Sequence, residues 1–194
     1  MNTSSPPETR TLRIFLIRGV IAIAWAAVFV AVSNSLTSDV TVVAGVLLVL
    51  YPLIDAVATL IDARSQHGSA RQWLLVNAGS STVAAIALGV AATRSVAAVF
   101  TVFGVWAAVS GAAQLIVVLR RRAQLGRQVP LLLANGASVL LGVAFIIMAA
   151  VGQTRLGMIA IYAATGGIEF LIQAWLLARR RRRSANAAPV LSAS

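Results

Sequence analysis

Residues 73–119 read WLLVNAGSSTVAAIALGVAATRSVAAVFTVFGVWAAVSGAAQLIVVL, and Arg94 is the one charged residue in the stretch. The polar triplet Thr93-Arg94-Ser95 divides it into two apolar runs, Trp73–Ala92 and Val96–Leu119. A run of about 20 apolar residues is long enough to cross the hydrocarbon core of a bilayer as a helix. The reading is a transmembrane helical hairpin. Four further runs of the same kind flank it: Leu12–Val32, Val40–Ile61, Pro130–Val151 and Leu156–Ala178. The expected fold is therefore all-α, a polytopic membrane domain of six transmembrane helices over residues 12–180. It divides into hairpins at 12–62, 73–120 and 130–179.

Composition agrees. Apolar residues make up 59% of the 194-residue chain and charged residues 11%, with a mean hydropathy of +0.90. Soluble domains are about half apolar and about a quarter charged. A soluble domain of this length buries only about two thirds of the surface it could expose, so this composition needs a bilayer. Residues 1–11 carry Pro6-Pro7 among polar residues and read as a disordered leader. Residues 181–194 read as a basic and then disordered tail. A cleaved signal peptide is the other reading of the first run, with Arg10 and Arg13 ahead of it. The run is longer than a usual signal h-region and contains Arg18, which favours a retained helix.

All 16 basic residues are arginine, and the net charge is +11. In a soluble protein that balance would suggest nucleic acid. Here the arginines flank apolar spans, so nucleic acid is not an expected partner and anionic lipid headgroups are. Fourteen of them fall on one side of the six-span layout, in the leader, in the second–third and fourth–fifth connections and in the tail. Only Arg94 and Arg155 fall on the other. Short loops rich in arginine stay in the cytoplasm, which places both termini there, in the inner (plasma) membrane. The run Arg179, Arg180, Arg181, Arg182, Arg183 is the expected headgroup contact. Pro130 stands at a first helical turn, where no backbone donor is lost. Pro52 lies inside the second span and predicts a kink, with neighbouring helices covering the freed carbonyl.

The three hairpins also align with one another. Arg18, Asn77 and Asn135 fall at equivalent places in the first helices. Asp55, Ser110 and Thr165 do so in the second helices, followed one turn later by Thr59, Gln114 and Glu169. Positions i and i+4 share a helix face, so each hairpin carries a polar pair on one stripe. Tyr51, Trp106 and Tyr162 recur nearly in register. Small-residue stripes, Gly104/Ala108/Ala112, Ser81/Ala85/Gly89 and Ala134/Ser138/Gly142, predict close helix packing.

The paired-helix repeat, the Arg18-Gly19 opening and the small-residue steps Asp55-Ala56, Ser110-Gly111 and Gly166-Gly167 resemble the HdeD-type acid-resistance membrane proteins. The likeness covers about residues 12–180. Arg-Gly becomes Asn-Ala and Asn-Gly in the later copies, and the Asp-Gly of the second helix survives in part. The resemblance implies an inner-membrane protein linked to acid or stress tolerance, and it carries no catalytic residues. Partners beyond membrane lipids, including a homo-oligomer, stay open.

No cysteine is present and His67 is the one histidine, so thiol chemistry and the common zinc sets fall away. No nucleophile–base pair is legible. The expectation is a non-enzymatic protein without cofactor or metal. The candidate polar site is Arg18, Asp55 and Glu169, three charges in one half of the bilayer. Each costs about 2.5–3.5 kcal/mol on insertion scales unless paired or hydrated. Arg18 is expected to pair with Asp55 or with Glu169. The pairing can serve packing alone, or it can belong to a small transporter or proton-conducting pore.

Overall fold

Thr41 sits in extended backbone, and its hydroxyl accepts from the amide of Ala44 at 3.2 Å, which starts one helix. Ser95 accepts in the same way from Ala98 at 3.1 Å and starts another. The computed structural model describes residues 6–33, 40–125 and 129–187. They form α1 (Pro6–Ser33), α2 (Val42–Ala63), α3 (Gly68–Ala92), α4 (Val96–Leu125), α5 (Val129–Ala150) and α6 (Gly157–Ala187). All six are long and apolar enough to cross a bilayer, and no strand occurs among the described residues. The shortest apolar segment, Leu132–Ala150, has 19 residues. At about 1.5 Å per residue it still matches a hydrocarbon core of about 30 Å.

Two boundaries differ from expectation. Residues 6–11, expected in a disordered leader, are the first turns of α1. Pro6 and Pro7 fit there because the first helical positions have no intrahelical amide partner to lose. At the other end, α6 carries the arginine run and continues to Ala187, so the expected disordered tail is helical that far. Residues 1–5 and 188–194 lie outside the described residues, as do Asp39 and Arg127.

The bundle is apolar on its outside and buries a small set of polar side chains within a largely apolar interior. Val42 is 84% exposed and Leu140 72%, while Asn77, Ser81, Ser110 and Thr59 are buried. In water this arrangement would be costly at every exposed aliphatic. In lipid it is what satisfies both surfaces. The chain is a multi-pass integral membrane protein.

The helices close into a ring in which each packs on its two neighbours in sequence and α6 returns to α1. The tight seams are α2 with α3, α4 with α5 and α6 with α1. They lie between the expected hairpins, and the packing inside the first and third hairpins is loose. The reason is in the small residues. A methyl group added at Gly19 would stand 2.9 Å from the Gly167 carbonyl, and one at Gly104 would stand 2.6 Å from the Gly142 carbonyl. Backbones touch at these seams because no side chain stands between them. The stripes on α4 and α5 pack closely, as expected, and do so against each other, with Gly111 in contact in place of Ala112.

Pro52 removes the amide that would reach back one turn to Leu48. Beside that gap the Trp25 indole of α1 donates to the Leu47 carbonyl at 2.9 Å. The contact from the neighbouring helix thus falls on Leu47, one residue before the Leu48 carbonyl that Pro52 frees. The mid-bundle core is aromatic: Trp25, Phe29, Phe100, Phe103, Trp106 and Phe145 form one buried cluster. Phe103 meets Trp106, Phe145 and Tyr162 edge-on at 5.3–5.5 Å, a favoured aromatic geometry.

Candidate functional site

Arg18 lies on α1 and Asp55 on α2, on the side of the aromatic cluster where the chain termini emerge. Arg18 Nη2 donates to Asp55 Oδ1 at 2.6 Å, and the two side chains are only 16% and 12% exposed. This selects between the two expected partners: Arg18 pairs with Asp55. The guanidinium also stacks on Phe170 of α6, 4.4 Å from the ring centre, a cation–π contact across the α1–α6 seam.

The other oxygen of Asp55 is taken as well. Asn77 Nδ2 and Ser81 Oγ, one turn apart on α3, each donate to Oδ2 at 2.9 Å. Asn77 spends its second amide hydrogen on Thr59 Oγ1 at 3.2 Å and accepts at Oδ1 from Ser110 of α4 at 2.6 Å. A flipped Asn77 amide would turn its oxygen toward the carboxylate, so the network fixes its orientation. Ser81 in turn accepts from the Trp106 indole at 2.9 Å, and Ser110 from Gln114 at 3.4 Å. From α1, α3 and α4, every chain of donors ends on Asp55. A carboxylate accepts at both oxygens, and both oxygens of this one are engaged. Breaking such a knot in low dielectric is expensive, since each partner left behind is buried and unpaired.

Beside the knot lies a cavity of about 160 Å³, walled by α1, α2, α4, α5 and α6 and partly open. Tyr51, Trp106 and Tyr162 line its inner end, and Gln114, Asn135 and Glu169 line the end toward the termini. Ser138 donates to the Ala107 carbonyl at 3.0 Å. Its single hydrogen is thereby used, so in the 2.6 Å contact with Tyr162 the phenol must be the donor. Beyond the tyrosines, the aromatic cluster fills the ring.

Glu169 differs from Asp55. It is half-buried on the cavity wall and, among the described residues, has neither a hydrogen-bond partner nor an ion-pair partner. Asn135 across the cavity is likewise without a side-chain hydrogen bond among the described residues. Gln173, one turn beyond Glu169, is 92% buried with its amide nitrogen unpartnered. The three expected site residues therefore share one cavity in unequal roles: Arg18 and Asp55 hold each other, and Glu169 is uncommitted. No group of three metal-ligating side chains forms among the described residues.

The repeat positions converge here. From the four aligned sets, Arg18, Tyr51, Asp55, Trp106, Ser110 and Asn135 line the cavity, as do Gln114, Tyr162, Thr165 and Glu169. Asn77 and Thr59 lie behind it in the knot. In the sequence Trp106 stands only as a recurring aromatic and Ser81 only as a member of a small-residue stripe; their hydrogen bonds join both to the knot. Their signal was position, on the same stripe as Asn77 and Ser110. In the basic run, Arg179 sits over the exposed Trp175 ring at 5.3 Å, and the run lies toward the end of α6, which extends to Ala187. His67 stands at the start of α3 with no side-chain capping bond.

No family model, curated protein or solved structure matches this chain.

Proposed function

We propose that this is a plasma-membrane protein, with both termini cytoplasmic, that binds a proton or small solute at Glu169 and works non-enzymatically in acid or stress tolerance. The contrast between the two acids carries the reading. A membrane-buried carboxylate without a fixed partner is an expensive group to keep for packing, whereas Asp55 is fully used by packing. Fourteen arginines on the terminal side support the orientation. The resemblance to HdeD-type proteins supports the physiological role, and membrane lipids with anionic headgroups remain the proposed contact of Arg179–Arg183. Because aromatic rings close the far half of the ring, the cavity suits a carrier that rearranges better than an open pore.

The orientation predicts that reporters fused after Gln66 and after Ala187 are active only where the reporter works in the cytoplasm. Activity of an exported reporter at either position would reverse it. For the site itself, proteoliposomes loaded with a pH-sensitive dye should take up protons under an imposed potential faster than protein-free vesicles. Glu169→Gln should lower that rate at least about tenfold, the scale on which single proton-handling groups act. A rate equal to that of empty vesicles, or one unaltered by Glu169→Gln, would leave Glu169 without this role.

A further inference from the structure

We infer that the cavity is a membrane-accessed binding site for an organic cation, an alkylammonium whose head sits at Glu169 and whose apolar tail leaves between α5 and α6. This deepens the proposed role of Glu169 and rests on it.

Charge selects the sign of the ligand. Arg18 and Asp55 cancel at 2.6 Å, so Glu169, when ionised, leaves the wall with one net negative charge. An anion reaching for the remaining guanidinium hydrogens would enter a space that Glu169 also borders. Chemistry selects an organic cation over a metal ion. Four aromatic side chains, Tyr51, Trp106, Tyr162 and Phe170, line the same cavity. Aromatic faces attract ammonium groups, and more strongly when the site is desolvated. A metal ion would want several oxygen ligands, and one free carboxylate does not provide them.

Volume sets the size. At about 160 Å³ the cavity compares with the roughly 150 Å³ space that admits a benzene, and it is smaller than the roughly 300–1,000 Å³ of drug-sized pockets. It has room for a trimethylammonium head and no room for a long tail. The tail has an exit. α5 and α6 barely touch, Thr165 and Leu141 on the cavity wall are exposed toward the lipid, and a methyl group at Gly166 would meet nothing within 4 Å. Glu169, one turn from Thr165 on α6, lines the same cavity.

Calorimetric titration of hexyltrimethylammonium into the full chain in lipid nanodiscs, with empty nanodiscs subtracted, tests this without requiring transport. Saturable binding of one cation per chain is expected. The uncharged isostere with a tert-butyl head should bind at least about tenfold more weakly, and this comparison on the unaltered protein does not depend on any variant folding. Glu169→Gln should weaken the cation to the level of the isostere. Gly166→Leu, whose Cβ meets nothing within 4 Å, should weaken or abolish binding without lowering thermal stability. Equal binding of cation and isostere, no saturable binding, or preference for hexylsulfonate overturns the inference. Cation binding that survives Glu169→Gln overturns it too. Glu169-dependent proton uptake without cation binding would overturn this inference alone and leave the proposed function standing.

Discussion

Arg18→Leu is expected to destabilise the protein by about 3–5 kcal/mol, because it strands a buried carboxylate. Asp55 Oδ1 loses its partner at 2.6 Å, and Phe170 loses the guanidinium on its face. The α1–α2 and α1–α6 packings are thus loosened together. Adding Asp55→Leu removes the stranded charge and should recover part of the loss. Recovery stays partial for a reason visible in the network. Asn77 and Ser81 each donate to Oδ2, and each then keeps an unsatisfied buried donor, at about 1–3 kcal/mol. Adding Glu169→Leu to Arg18→Leu should recover nothing, since Glu169 is not the partner. Thermal unfolding in detergent reads all three. An Arg18→Leu protein as stable as the parent, or rescue by Glu169→Leu instead of Asp55→Leu, would mean that the ion pair does not form.

Much of this is legible in the amino-acid sequence. Apolar runs bounded by polar connections gave the six spans to within a few residues at most ends, because in lipid a helix is the one way an open apolar segment can satisfy its backbone. The repeat placed Arg18, Asp55, Asn135 and Glu169 on equivalent stripes, and the ring brings those stripes to one cavity. Three things stayed hidden. The choice of Asp55 over Glu169 does not follow from the seams, since Arg18 bonds across the loose α1–α2 seam and not across the tight α1–α6 one. Short loops make α1 and α2 neighbours, yet Gly19 against Gly167 draws α1 closer to α6. The role of Trp106 was hidden because a tryptophan within a span reads as filler until a hydroxyl such as Ser81 stands 2.9 Å from its indole. The helical residues 6–11 were hidden because polar composition with two prolines resembles a loop, while position at a helix start makes the same prolines acceptable.

Gly142→Leu should be the most damaging single change on α5, more harmful than its loss of a helix-weakening glycine is helpful. The gain from removing a mid-helix glycine is about 0.5–1 kcal/mol. Against it stands geometry. The new Cβ would lie 2.5 Å from both the Gly104 carbonyl oxygen and the Ala108 nitrogen, and 2.9 Å from the Ala108 methyl. Two of those three atoms are backbone, so no rotamer change relieves them and α4 must move as a body. Overpacking costs about 1–3 kcal/mol where side chains can adjust, so a net loss of about 3 kcal/mol or more is expected here. The movement should also reach the cavity. Gly111 meets Asn135 and Ser138 along the same seam, and Ser138 bonds Ala107 across it at 3.0 Å. Separating α4 from α5 therefore breaks the hydroxyl pair that holds Tyr162. Gly136→Ala is the control, two turns away on the same helix with nothing within 4 Å of the added methyl. It should stabilise by about 0.5–1 kcal/mol. Unfolding measured side by side in detergent separates the two effects. If Gly142→Leu and Gly136→Ala move the midpoint in the same direction, helix propensity governs α5 and the backbone-to-backbone seam with α4 is not what holds the ring closed.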